Sequence, residues 1–115
     1  MIIATLNLYI LSFNKITLEY DVLSLDLTAF RPPSEKLDGT KSLDSIVCKL
    51  IENHIEISSS FINYKLSDAE VINNELILSY YCFIPFNTNI NNCFSFSLNN
   101  HAINCKNLKK IISAL

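Results

Sequence analysis

Apolar and β-branched residues crowd positions 2–13, and a second run from Ile16 to Leu27 opens on strict alternation. Ile16, Leu18, Tyr20 and Val22 face Lys15, Thr17, Glu19 and Asp21. A period of two puts alternate side chains on opposite faces of a strand, so the two runs predict two strands joined at Asn14-Lys15. After Val22 the alternation slips by one, and Leu23, Leu25 and Leu27 become the apolar set. Such a slip predicts a β-bulge or a strand that serves two surfaces. From Ala29 to Lys41 the pattern dissolves around Phe30-Arg31-Pro32-Pro33 and the chain's one glycine, Gly39. This stretch reads as a loop, and any chemistry is expected near it.

Leu43, Ile46, Val47, Leu50 and Ile51 then recur at i, i+3, i+4, i+7 and i+8, with Asp44, Ser45, Cys48, Lys49 and Glu52 opposite. That spacing predicts an amphipathic helix, and Ser42 is placed to cap it. Strands are predicted from Phe61 to Leu66 and from Leu76 to Ile84, separated by a turn at Ser67-Asp68 and stopped by Pro85. Asn87 to Asn92 reads as a solvated loop, and Phe94 to Leu98 as a short strand. Leu108, Ile111, Ile112 and Leu115 mark a closing helix with Asn104 as its cap.

With 115 residues the chain fits one domain, residues 1–115, at the usual roughly 100–200 residues per domain. Half its residues are hydrophobic and 17 % charged, which excludes disorder and predicts a real core. A net charge of -2 supplies no diffuse positive field, so direct nucleic-acid binding is not expected. Cys48, Cys82, Cys93 and Cys105 show no close pairing, and their spacing does not suit a structural zinc site; reduced thiols are expected. The opening apolar run has no basic start and no small-residue cleavage site, and it is too short to span a bilayer. A cytoplasmic protein without membrane contact is the expectation.

Several segments carry a family resemblance. Ala29-Phe30-Arg31-Pro32-Pro33-Ser34-Glu35 looks like the Trp-x-Leu-Pro-Gly-Gly approach to a Nudix box. Ser42-Leu43-Asp44 follows where that family often has Glu-Ser-Leu. Glu75 to Pro85 is similar to the strand that ends in an apolar-Pro pair in many members, and Asn100-His101-Ala102 to the Asp-His-Ala of Nudix-related transcriptional regulators. The resemblance implies an α/β fold: a Nudix-like α/β/α sandwich, its mixed sheet carrying an amphipathic helix after the second strand and a C-terminal helix.

The family's box, G-x5-E-x7-R-E-U-x-E-E-x-G-U with U aliphatic, lies on this sequence without insertion. Its first glycine falls on Glu35, the next glutamate on Lys41 and the arginine on Lys49. The three helix glutamates fall on Leu50, Asn53 and His54, and the later glycine on Glu56; the aliphatic positions Ile51 and Ile57 are kept. Family enzymes use those carboxylates to hold a divalent metal against a diphosphate and to activate water. The resemblance therefore implies a degenerate box, with no catalytic residue, metal site or cofactor, and a domain that acts as a ligand-sensing or protein-interaction module. At about 100° per residue, Leu50 and His54 share the arc of Leu43 and Val47, so the would-be metal face is expected to be core.

Two other readings remain. One is a divergent hydrolase of a nucleoside diphosphate-linked substrate, with Asp68, Glu70 and Glu75 supplying carboxylates. The other is a structural subunit of a larger complex. His54 and His101 lack the glycine-framed serine of a hydrolytic triad. Cys48 is expected to be an inert half-buried thiol, and Lys106, Lys109 and Lys110 a solvated helix face. A mean hydropathy of +0.27 leaves more apolar side chains than a small core can bury. The expected partners are thus a protein or a second copy, with a nucleotide-like small molecule as a further ligand. The apolar excess is expected at Val22 to Leu27 and at Tyr80, Tyr81 and Phe83.

Overall fold

The computed structural model describes residues 3–98 and 105–114. A long first strand, β1 (Ile3–Asn14), forms the middle of a mixed sheet. β2 (Glu19–Ser24), β3 (Ser34–Leu37), β4 (Tyr64–Ile72), β5 (Glu75–Phe83) and β6 (Phe94–Ser97) complete it, with helices α1 (Leu43–His54) and α2 (Lys106–Ser113). The strand order is β4-β5-β1-β2-β6. β1 runs parallel to β5 from Ile3 opposite Glu75 to Leu11 opposite Phe83. Its other edge is divided: residues 4–7 pair with β3 and residues 11–14 with β2, both antiparallel.

Alternation along these strands sends side chains to two covered faces. Leu6, Leu8 and Ile10 of β1, with Leu23 and Cys82, pack under Ile46, Val47, Leu50 and Ile51 of α1. Tyr9 and Leu11, with Val22 and Phe96, pack under Leu108 and Ile111 of α2. The strand at Val22-Leu23 therefore does serve two surfaces, but by plain alternation: its pairings with β1 and β6 run through without a shift. The bulge lies elsewhere, in β4 between Leu66 and Asp68.

α1 begins as expected, with the Ser42 hydroxyl accepting a hydrogen bond from the Ser45 backbone N–H at 3.2 Å. Its first apolar residue departs from the predicted core arc. Leu43 is 39 % exposed, because it occupies the first helical position, where the chain has only just come over the sheet. The link from β1 to β2 is longer than the predicted Asn14-Lys15 joint. Asn14 Oδ1 accepts from the N–H groups of Ile16 and Thr17, and Leu18 turns the chain with φ 58°. Ile16 and Leu18 are consequently 82 % and 73 % exposed, so their alternation belongs to a turn.

Three further expectations change. Residues 34–37 form β3 rather than loop, since Leu37 and Glu35 fall opposite Ala4 and Leu6 on β1. Ser67-Asp68 is the β4 bulge, and the turn to β5 falls at Asn73-Asn74, both with positive φ. Phe61 sits in a 3-10 turn, Ser59–Phe61, ahead of the strand. At the last helix Cys105 holds the cap position without a side-chain hydrogen bond; Asn104, His101 and Asn100-His101-Ala102 lie outside the described residues. Among the described residues no helix is long and apolar enough to cross a membrane.

Candidate functional site

The helix that carries the box positions is held to the sheet on three sides. Lys49 Nζ lies 3.2 Å from Glu35 Oε1, which ties α1 to β3 across its exposed flank. The Tyr64 hydroxyl on β4 donates to the Asp44 carboxylate in the first turn of α1. That bond favours the protonated phenol, and Tyr64 is pushed up to about 12. At the far end, the His54 carbonyl accepts from the Asn91 N–H at 2.8 Å, and His54 Nδ1 lies 3.1 Å from the Asn91 carbonyl. A carbonyl only accepts, so Nδ1 carries the proton in that contact. Ile55 pairs with Ile90, and Glu56 N–H donates to the Asn89 carbonyl. The asparagine-rich loop is thus stitched to the end of α1.

Of the three helix positions in question, Leu50 is only 6 % exposed and sits inside the core under α1. Asn53 is exposed, and His54 is engaged with the loop. The predicted burial of Leu50 is what the fold shows.

Beside the same loop, on the α1 side of the sheet, lies a cleft of about 280 Å³. Ser12, Asn14, Asp21 and Leu23 form its floor, Ser95 one wall, and Pro85 to Thr88 with Ile90 the other. Asn14 Nδ2 donates to Asp21 Oδ2 at 3.2 Å across its floor. Alternation places Ser12, Asn14 and Asp21 on this face, beyond the point where α1 stops covering it. Sequence reasoning missed this group. The signal available was the switch from leucine and isoleucine at 6, 8 and 10 to Ser12 and Asn14 on the same face, which marks where the core ends.

Solved structures share this architecture. A C. elegans Ap4A hydrolase binary complex overlays with a TM-score of 0.67 at 9 % identity, over 98 % of this chain and 97 % of that one. The NUDIX domain of Shewanella oneidensis NrtR, complexed with ADP ribose, gives 0.62 at 10 % identity over 85 % and 74 %. A MutT/nudix family protein from Enterococcus faecalis gives 0.63 at 18 % identity over 88 % of this chain. The chain has a Nudix fold. It spans 46 % of the Enterococcus protein's length, and no protein-family profile or curated protein sequence matches it. At these identities the likeness establishes the fold, and the chemistry rests on this chain's own residues.

A Nudix fold implies a divalent metal at the helix, and the residues present do not fit one. A hard cation wants several oxygen ligands, yet Leu50 offers none and His54 offers only a ring nitrogen. Among the described residues no group of three or more His, Cys, Asp or Glu side chains converges. Asp68, Glu70 and Glu75 are not gathered at α1. Their pairings put them on the other face of the sheet, where Asp68 meets Lys110 at 3.4 Å and Glu75 accepts from the Thr5 hydroxyl at 2.8 Å. Lys110 is therefore an ion-pair partner, while Lys106 and Lys109 are exposed as expected. Cys48 is half-buried, and burial pushes the Cys82 thiol up to about 12 and raises that of Cys93. In the approach loop, the Thr40 hydroxyl and N–H bond the Asp38 carboxylate and hold its pKa below the ordinary value.

Proposed function

We propose that this Nudix-fold domain is a binding module in which α1 is a core element and carries no metal-dependent hydrolysis. The observation that carries the reading is Leu50: a position implied to hold a metal-binding carboxylate is filled by a buried leucine packed against β1 and β5. Buried apolar contact and metal ligation are mutually exclusive uses of one side chain. The ligand class we favour is a nucleotide-like small molecule in the cleft of Asn14 and Asp21. Its hydroxyl, amide and carboxylate groups suit the hydroxyls of a sugar, and the NrtR NUDIX domain is a fold neighbour complexed with ADP ribose. Sensing then requires the ligand to prefer one of two states, such as free chain and assembled chain. Self-association and residence in a reducing, cytoplasmic compartment are part of the same reading, supported by exposed apolar side chains and by four free thiols.

The test has two arms. Incubation with Mg²⁺ or Mn²⁺ and a panel of nucleoside diphosphate-linked compounds is expected to give no turnover, and titration calorimetry no metal binding that Asn53→Ala with His54→Ala abolishes. Calorimetry with ADP ribose is expected to give binding that Asp21→Ala weakens. Turnover lost on Asp68→Ala, Glu70→Ala or Glu75→Ala would establish the divergent hydrolase instead. Absence of both turnover and ligand binding would leave the structural-subunit reading.

A further inference from the structure

We propose that the outer edge of β4 pairs with the same edge of a second copy, in a single register set by the β4 bulge. The inference deepens the self-association part of the proposed function and rests on that part alone. Among the described residues β4 bonds only β5, so along its other side alternate residues of the nine-residue strand present backbone N–H and C=O groups that a further strand can take. The side chains of this edge alternate in an unusual way. Tyr64, Leu66, Ala69 and Val71 share the α1 face, where alternation ordinarily signals burial, yet Leu66 is 52 % and Val71 60 % exposed. Lys65, Asp68, Glu70 and Ile72 share the other face.

Charge complementarity selects the occupant and the register. In an antiparallel pair related by a twofold axis, opposite residues lie on the same face. Regular registers centred on Asp68, Ala69 or Glu70 set Asp68 against itself, Asp68 against Glu70, or Glu70 against itself, and like charges directly opposite oppose pairing. The bulge at Ser67 changes the parity of the strand. With the axis between Ser67 and Asp68, these two fall opposite each other at the centre, and Lys65 falls opposite Glu70 twice, Leu66 opposite Ala69 and Tyr64 opposite Val71, each of these flanking pairs on a common face. The exposed apolar residues of the edge then meet each other, and each copy supplies one cation and one anion to the two ion pairs. A twofold axis perpendicular to the sheet keeps both α1 helices on one side, so both clefts stay open.

Sedimentation velocity at micromolar concentration is expected to give twice the 13.1 kDa chain mass. Lys65→Glu and Glu70→Lys sit at surface positions that leave the core intact, and each alone is expected to weaken dimerisation by roughly tenfold or more, since both ion pairs become repulsive. An equimolar mixture of the two variants restores opposite charges at both sites and is expected to dimerise, as is the double variant. A wild-type monomer, a dimer indifferent to the single reversals, or variants that fail to rescue each other would overturn the proposal. These outcomes are independent of turnover and of ligand binding, which report on α1 and the cleft.

Discussion

The two faces of the sheet are built on different principles. Under α1 a dozen buried aliphatic and thiol side chains close on one another. Under α2 the cluster is half that size, and the buried hydroxyls of Ser24 and Ser79 both belong to that side. There Asn107 Nδ2 donates to Ser79 Oγ at 3.1 Å and to the Tyr9 hydroxyl at 3.4 Å, and the Cys105 thiol lies 3.6 Å from the same oxygen. Ser24 Oγ accepts from the Arg31 N–H and donates to the Asp26 carbonyl. A dry face draws its strength from packing and tolerates no charge, whereas a hydrogen-bonded face draws part of it from geometry and protonation. The difference teaches that a carboxylate at Leu50 would have to enter the drier of the two cores, whereas the same sheet face holds Asp21 only in the cleft beyond the end of α1.

That contrast is open to attack in order of effect. Leu50→Glu, which restores the implied acidic residue, is expected to destabilise beyond Leu50→Ala, itself costing about 2–5 kcal/mol. Thermal melts decide it, and the glutamate variant should recover partly at acid pH, where the carboxyl is neutral. A melt unchanged by either substitution would mean that α1 does not pack as described. Tyr9→Phe probes the other face and is expected to cost about 1–3 kcal/mol by leaving Asn107 short of an acceptor.

Tyr9→Phe also carries a pH signature. Burial pushes the Tyr9 phenol up to about 12, so the folded chain keeps a proton that the unfolded chain releases near pH 10. Its stabilisation is complete below pH 10 and is lost as pH rises toward 12. Cys82, raised from 9 to about 12 by burial, adds a loss that begins near pH 9. Chemical denaturation between pH 8 and 11 should therefore show falling stability, and Tyr9→Phe should lessen the slope only above pH 10, where the Cys82 loss continues. Ser42→Ala, which removes the α1 cap, is expected to cost about 1 kcal/mol. Smallest is Lys49→Ala: its pair with Glu35 is half-exposed, and a change under about 1 kcal/mol is expected.

What the sequence made legible follows the strength of the local signal. Ser42, Ile46, Val47, Leu50 and Ile51 announce a capped helix with one buried face, and the fold uses it that way. Pro85 ends the region of β5 as expected, because it has no N–H for a ladder. β3 was illegible, since Ser34-Glu35-Lys36-Leu37 alternates charges at a partly exposed edge and owes its extended form to β1. The turn at 15–18 misled because Ile16 and Leu18 are apolar where no core awaits them, and only tertiary placement tells such residues from strand. The expected apolar excess at Val22-Leu23 is absent for a related reason: each residue has its own core. Leu27 and Phe83 do remain exposed. The cleft was hidden because Asn14 and Asp21 come together only when β1 and β2 pair.

The parallel pairing of β1 with β5 has a kinetic consequence. Ile3 and Glu75 are neighbours in space but 72 positions apart in sequence, and closing so long a loop must precede any gain from the contact. During synthesis β1 emerges with Leu6, Leu8 and Ile10 exposed and waits through β2, β3, α1 and β4 for its longest partner. The most buried strand of the finished molecule is thus the nascent chain's most persistent sticky segment. Collapse should be rate-limited by the arrival of β5, and chaperones that shield hydrophobic segments would act on residues 6–11.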